Sequence, residues 1–275
     1  MRTGKDAKVS AREPPAACAY CKTTGATLTK EHVIPRALIA AAPERNTYSA
    51  KTQNLFRGEL QIRDTCESCN SGPLADLDQR AVTALRPHLQ RWIRDEPWSA
   101  SLAIDATTLN RWLLKMSFNS ARVKKGEDLP ALTAQRSFIL NGKPRPARFH
   151  AFAGIIRSRS CSPAEQQHMG VIRDWWDPDN YRLSVWHDRR IRDQASFVRV
   201  VFLDALMFVL VKLRSTGSLV GVRKFIAQRT GLALLESRSE TVELRPSTLD
   251  AITAYEAQLP IHAHVWGEYR ASRSR

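Results

Sequence analysis

The spacing of apolar residues changes twice along the chain. From Cys18 to about Asn70 the apolar residues come in short segments broken by Gly25, Pro35, Pro43, Asn46 and Gly58, a texture of hairpins and loops. Leu74, Leu77, Ala81, Val82, Leu85, Leu89 and Trp92 then recur at three- and four-residue spacing, which predicts a helix from near Pro73 toward Arg94 with a kink or break at Pro87. A second helix is predicted with Thr107 or Thr108 as N-cap and Leu109, Trp112, Leu113, Met116 and Ala121 as its apolar face; Lys124 and Lys125 stand near its C-terminal end. After Leu129 the pattern turns to β: Ser137 to Leu140, an Asn141-Gly142 turn, Phe149 to Ile156, Tyr181 to Trp186 and Phe197 to Leu203. A late helix is predicted over residues 247–258. The expected class is α+β, with a small, mainly antiparallel sheet and no internal repeat.

Composition narrows the partners. The 275 residues carry 42 Lys and Arg against 27 Asp and Glu, a formal charge of +15, which attracts polyanions and makes nucleic acid the first partner to test. Residues 1–15 read as a disordered basic arm ending in Pro14-Pro15, and the closing RASRSR as a frayed basic tail. The N-terminal stretch has no apolar run of signal-peptide length, so a cytoplasmic location is expected. The longest apolar stretch, Phe197 to Leu213, is interrupted by Arg199, Asp204 and Lys212, so it reads as buried strand or helix and no membrane partner is expected.

Five cysteines without a leader argue against a disulfide framework and for metal. Cys18-Ala-Tyr-Cys21 and Cys66-Glu-Ser-Cys69 are two CxxC knuckles, each able to place two thiolates on one ion; together they make a closed tetrahedral site, expected to hold structural Zn²⁺. The 44 residues between them form a substructure stitched by the metal. Cys161 stands apart as a spare thiol. His262 and His264 would share one strand face, but two histidines without a third ligand are more often solvated. Trp175-Trp176 beside Arg173 could stack on bases, although adjacent tryptophans are more often core. Arg157, Arg159, Arg189, Arg190, Arg192, Arg223 and Lys224 could line a phosphate-binding face.

Between the knuckles lies Glu31-His32-Val-Ile-Pro35, and Asn70 follows Cys69 directly. This arrangement, from Cys18 to about Asp78, resembles the HNH endonuclease family, in particular its branch with a Glu-His-x-x-Pro centre and zinc knuckles on both sides. The resemblance implies a zinc-stapled, treble-clef-like ββα-metal module at residues 16–94, followed by a basic α+β accessory region at 95–275. It implies His32 as the general base that takes a proton from the attacking water, a task suited to an imidazole. It implies Glu31 and Asn70 as ligands to a catalytic Mg²⁺ or Mn²⁺ that keeps waters and a phosphate oxygen. Asn54, followed by Leu55, corresponds to the middle Asn that orients the base. It lies sixteen positions before Asn70, which requires an insertion in the hairpin, and Asn46 is the next candidate. Asp78 could approach the metal from the following helix, or serve only as a capping or exposed residue. The implied activity is metal-dependent hydrolysis of phosphodiester bonds in DNA; the alternative is a non-catalytic, zinc-stabilised nucleic-acid-binding module. The region from 95 onward could position DNA, bind a partner or form a homodimer.

Overall fold

The structure, a computed structural model, describes residues 17–40, 46–49, 54–57, 60–94, 96–144, 146–169, 174–178, 181–186, 188–236 and 239–256. The expected basic arm, the C-terminal tail, Arg173, and His262 with His264 lie outside the described residues.

The N-terminal part is built on an antiparallel strand pair, β1 (Leu28–His32) and β4 (Gln61–Cys66), in which His32 stands opposite Gln61 and Leu28 opposite Cys66. The connection between them carries a short helix α1 (Arg36–Ile39) and a second hairpin, β2 (Asn46–Ser49) with β3 (Asn54–Arg57). β4 runs directly into α2 (Glu67–Ser71), and Gly72 separates it from α3 (Pro73–Leu85). Pro73 occupies the first turn of α3, where its missing N–H costs nothing, and the helix tightens to a 3₁₀ turn at Arg86–His88 around Pro87, as the proline predicts.

A short strand β5 (Ala100–Leu102) precedes the central helix α4 (Ala106–Lys124). The expected N-cap was Thr107 or Thr108; the cap is Asp105, whose Oδ1 accepts from the Thr108 backbone N–H at 2.8 Å and whose Oδ2 accepts from the Thr108 hydroxyl at 2.7 Å. Residues 112–121 are buried all the way round the helix. α5 (Leu129–Thr133) and α6 (Arg136–Asn141) follow. α6 corrects the strand expected at Ser137 to Leu140. Gly142, at φ +73°, is the helix's left-handed C-cap, its N–H bonded to the Phe138 carbonyl at 2.7 Å, rather than half of a hairpin turn. Phe138 and Ile139 are adjacent and both buried, which an alternating strand does not do.

The remainder is a six-stranded sheet. β6 (Phe149–Arg157) begins it, and β7 (Arg159–Ser160), α7 (Pro163–Met169) and β8 (Trp175–Trp176) form an excursion before β9 (Tyr181–Val185), β10 (Ala195–Leu203) and β11 (Leu206–Leu213). α8 (Leu219–Thr230), β12 (Ala233–Leu234), β13 (Val242–Leu244), β14 (Pro246–Asp250) and α9 (Ala251–Glu256) complete the described chain. Strand order is β12-β6-β11-β10-β9, all antiparallel, with β14 added parallel to β6. The late helix therefore starts at Ala251 rather than 247, after a strand.

Both faces of the sheet are covered, which accounts for the nearly unbroken apolar run from Phe197 to Leu213. Along β11, Met207, Val209 and Val211 pack beneath α8 and α9, while Leu206, Phe208 and Leu210 join the opposite cluster. That cluster continues without a break through Trp112 and Phe118 of α4 to Leu77 and Leu85 of α3 and to Cys18 and Tyr20. One apolar core thus spans the expected boundary between residues 94 and 95. Arg199 faces the same side of the sheet, nearly fully buried, and donates to Asp128 from Nε at 2.5 Å and from its terminal nitrogen at 2.9 Å, a bidentate pair that satisfies its charge. No helix among the described residues is long and apolar enough to cross a membrane.

Candidate metal centre and the adjoining pocket

The two knuckles meet. The ligand atoms of Cys18, Cys21, Cys66 and Cys69 all lie within 4.8 Å of one another, and Cys21 Sγ is 3.6 Å from Cys66 Sγ. Tetrahedral Zn–S bonds of about 2.3 Å place neighbouring sulfurs about 3.8 Å apart, so four cysteines at this spacing could hold a metal such as zinc. The local chain is shaped for it. The Lys22 N–H turns back to the Cys18 carbonyl at 3.0 Å with Lys22 at φ +68°, and the Cys66 N–H points at Cys18 Sγ at 3.3 Å. The thiols are shifted in opposite directions. Hydrogen bonding from the Thr23 hydroxyl, against the opposing effect of burial, brings the Cys21 thiol down to about 6; burial, reinforced by contacts with Cys66 and Cys21, pushes the Cys69 thiol up. A cation shared by all four would relieve that tension by stabilising every thiolate.

Beside this centre is a pocket of about 320 Å³ whose lining includes Lys30, Glu31, His32, Asn70, Asp78 and Gln79. β1 delivers Glu31 and His32, the helix after the second knuckle delivers Asn70, and α3 delivers Asp78. Three of the residues expected at a catalytic site therefore converge, with Asp78 beside them. Comparison with protein-family models, with curated proteins and with solved structures returned no match. The site is consequently read from its own geometry.

Asn70 ties α2 to β1: its amide Nδ2 donates to Thr29 Oγ1 at 2.9 Å and to the Lys30 carbonyl at 3.0 Å. Because a carbonyl only accepts, the amide nitrogen must face the strand, which leaves Asn70 Oδ1 without a partner among the described residues. Glu31 is 3% exposed, and its Oε1 is ion-paired with Lys115 Nζ at 2.5 Å and accepts from Asn119 Nδ2 at 3.2 Å. Its Oε2 has no hydrogen-bond partner among the described residues. Asp78 is fully committed, Oδ1 to Trp112 Nε1 at 3.0 Å and Oδ2 to Lys115 Nζ at 2.5 Å. Two hard oxygen donors, Glu31 Oε2 and Asn70 Oδ1, remain on one pocket.

His32 is half-buried. Its Nε2 lies 2.9 Å from Gln61 Nε2, directly across the β1–β4 ladder, and its backbone carbonyl accepts from Asn119 Nδ2 at 2.9 Å. An amide nitrogen only donates, so in this arrangement His32 Nε2 is the acceptor. Asn54 opens β3, in register opposite Ser49, and Asn46 opens β2 opposite Arg57; their side chains lie outside what the structure describes.

Sequence reasoning placed Trp112 on the apolar face of α4 but missed Gln61 and the polar residues Lys115, Asn119 and Arg122 on that helix. Trp112, Lys115, Asn119 and Arg122 form one stripe at helical spacing, and each bonds to the N-terminal part. Asn119 Oδ1 accepts from the Tyr20 hydroxyl at 2.5 Å, so a residue inside the first knuckle is joined through one side chain to Glu31 and to the His32 backbone. Burial holds the Tyr20 phenol well above the usual range, against the opposing Arg122 guanidinium, which keeps it a hydrogen-bond donor. Arg122 stacks over Tyr20 and Phe118 at 4.9 and 4.5 Å and pairs with Asp64. The detectable signal was Lys115, Ser117, Asn119 and Ser120 inside an otherwise apolar helix, since buried polar groups need partners.

Of the other basic candidates, Arg159 pairs with Glu165 and Arg190 with Asp188. Arg157, Arg189, Arg192, Arg223 and Lys224 are exposed. Trp175 and Trp176 are half-buried, with the Arg94 guanidinium 5.9 Å over Trp175.

Proposed function

We propose that this chain is a metal-dependent endonuclease of HNH type that hydrolyses phosphodiester bonds in DNA. The observation that carries the reading is the convergence of Glu31, His32 and Asn70 on one pocket beside a four-cysteine cluster, with Glu31 Oε2 and Asn70 Oδ1 left uncommitted. The antiparallel β1–β4 pair followed by α2 and α3 supports the ββα arrangement such a module requires, and the net charge of +15 supports a polyanionic substrate.

His32 serves as the base. For it to take a proton from water, its Nε2 lone pair must exchange the Gln61 amide for the attacking water, and Gln61 is exposed enough for that exchange to cost about 1 kcal/mol, one solvent-competed hydrogen bond. Glu31 Oε2 and Asn70 Oδ1 would hold the divalent ion. When bound, that ion would offset the charge that builds on the phosphorane and on the departing 3′ oxygen. Asn119 fixes the main chain of His32, and the zinc cluster anchors the first knuckle against β4 through the Ala19 N–H to Asp64 carbonyl bond at 2.8 Å.

The test is cleavage of supercoiled plasmid by wild type and His32→Ala in Mg²⁺, Mn²⁺ and EDTA, with zinc content matched. Nicked or linear product that needs the metal and drops at least about 100-fold in the variant is expected. Salt-sensitive DNA binding with no metal-dependent product would replace this reading with that of a zinc-stabilised binding module.

A further inference from the structure

Lys115 lies in α4, outside the stretch that carries the family resemblance, and its side chain is completely buried. Its ammonium is 2.5 Å from Glu31 Oε1 and 2.5 Å from Asp78 Oδ2. A lysine held at 0% exposure requires anionic partners, and a single carboxylate would suffice for charge balance. Here there are two, and both line the pocket. The triad of Lys115, Glu31 and Asp78 carries a formal charge of −1 and presents one uncommitted carboxylate oxygen. The point between the two carboxylates is filled by the lysine ammonium.

Resting on the proposed metal-dependent reading of the pocket, we infer that Lys115 is a positioning residue acting as a built-in cation. It turns Glu31 so that Oε2 faces the pocket, and by occupying the position between Glu31 and Asp78 it restricts the site to one exogenous divalent ion. Trp112 and Asn119, one turn away on either side, hold the remaining oxygen of Asp78 and the second lobe of Glu31 Oε1, so the two carboxylates cannot swing toward each other. The helix of the C-terminal region is in this way part of the site.

The experiment is Mn²⁺ binding to the zinc-loaded full chain, followed by electron paramagnetic resonance of the free ion, for wild type, Lys115→Met and the double variant Lys115→Met with Asp78→Asn, alongside plasmid-cleavage kinetics. Wild type is expected to bind one Mn²⁺ in the pocket, abolished by Glu31→Gln with Asn70→Ala. Lys115→Met leaves a charge of −2 and is expected to bind Mn²⁺ at least about tenfold more tightly or to take a second ion. The double variant restores the −1 charge and removes the carboxylate–carboxylate repulsion that Lys115→Met leaves, so it is expected to be the better folded of the two. It is expected to bind one Mn²⁺ within about threefold of wild-type affinity while kcat falls at least about tenfold and KM for DNA stays within about threefold. Unchanged Mn²⁺ affinity and stoichiometry in Lys115→Met, or a double variant that cleaves like wild type, would overturn the role assigned to Lys115. Absence of pocket Mn²⁺ in the wild type would instead overturn the metal-dependent reading on which it rests.

Discussion

At the scale of single residues, Asn70 ties α2 to β1 with one side of its amide and leaves the other side unbonded among the described residues. Its Nδ2 faces the Thr29 hydroxyl and the Lys30 carbonyl, and its Oδ1 faces neither. Aspartate, the substitution that best preserves an oxygen ligand, is therefore the damaging one for stability. It would set a carboxylate against the Lys30 carbonyl with no proton to share, whereas alanine merely returns an exposed carbonyl to water. Asn70→Asp is expected to destabilise the zinc-loaded protein by about 1–2 kcal/mol, more than Asn70→Ala. Urea unfolding of the three proteins checks this, and an Asp variant as stable as wild type would show that the amide is turned the other way. That Glu31, His32 and Asn70 would meet was legible in the sequence because they lie within and against the two knuckles. Gln61 and Lys115 were not, because their partners lie 29 and 84 positions away (61 − 32 and 115 − 31), and only the folded ladder and the packed helix bring them together.

At the scale of elements, helices with caps and periodicity were legible and short apolar runs were not. α3 and α4 announce themselves over three or more turns, and Pro87 marks where α3 ends. Ser137 to Leu140 is too short for either period to declare itself, and Asn141-Gly142 fits a hairpin turn or a helix C-cap equally well. What decides it is distant: Arg111 of α4 donates to the Ile139 carbonyl from Nε at 3.2 Å and from its terminal nitrogen at 2.9 Å, and to the Leu140 carbonyl at 2.9 Å, closing the C-terminal end of α6. α4 in turn depends on its own cap. Burial would raise the Asp105 carboxyl, but the Thr108 hydroxyl and N–H together with Arg80 hold it below the ordinary carboxylate range. A carboxyl whose folded value is depressed stabilises above its unfolded value, near pH 4, and loses that contribution as pH falls toward the folded value. Asp105→Ala is expected to cost about 1 kcal/mol at neutral pH, with the half-exposed Arg80 pair adding little. The difference between variant and wild type should shrink below about pH 4, as denaturant unfolding across pH 3 to 7 would register.

At the scale of the whole molecule, the division expected near residue 94 meets a continuous interior. The apolar cluster that begins at Cys18 and Tyr20 passes through Leu77, Trp112 and Phe118 to Phe208 on the sheet. Across the same surface run the Lys115 bridge to Glu31 and Asp78, the Asn119 bonds to Tyr20 and His32, and the Arg122 pair with Asp64. Among the described residues, the lysine that pairs with Glu31, a carboxylate 3% exposed in the packed chain, comes from α4. Separated from α4, the N-terminal part would lose that pairing and the apolar contacts beside it, and α4 would expose residues 112–121, which are buried on every side. The four-cysteine cluster, α4 and the sheet should then unfold together. Calorimetry of the zinc-loaded chain is expected to give one transition whose calorimetric and van't Hoff enthalpies agree. Chelation of the metal should lower the midpoint of that single transition by about 10 °C or more, because the binding free energy of a four-thiolate zinc site is folding free energy for everything coupled to it. Two transitions, with only the smaller one moved by the chelator, would mean that the contacts through α4 are too weak to couple the halves, and the site at Glu31 and Lys115 would then open independently of the sheet.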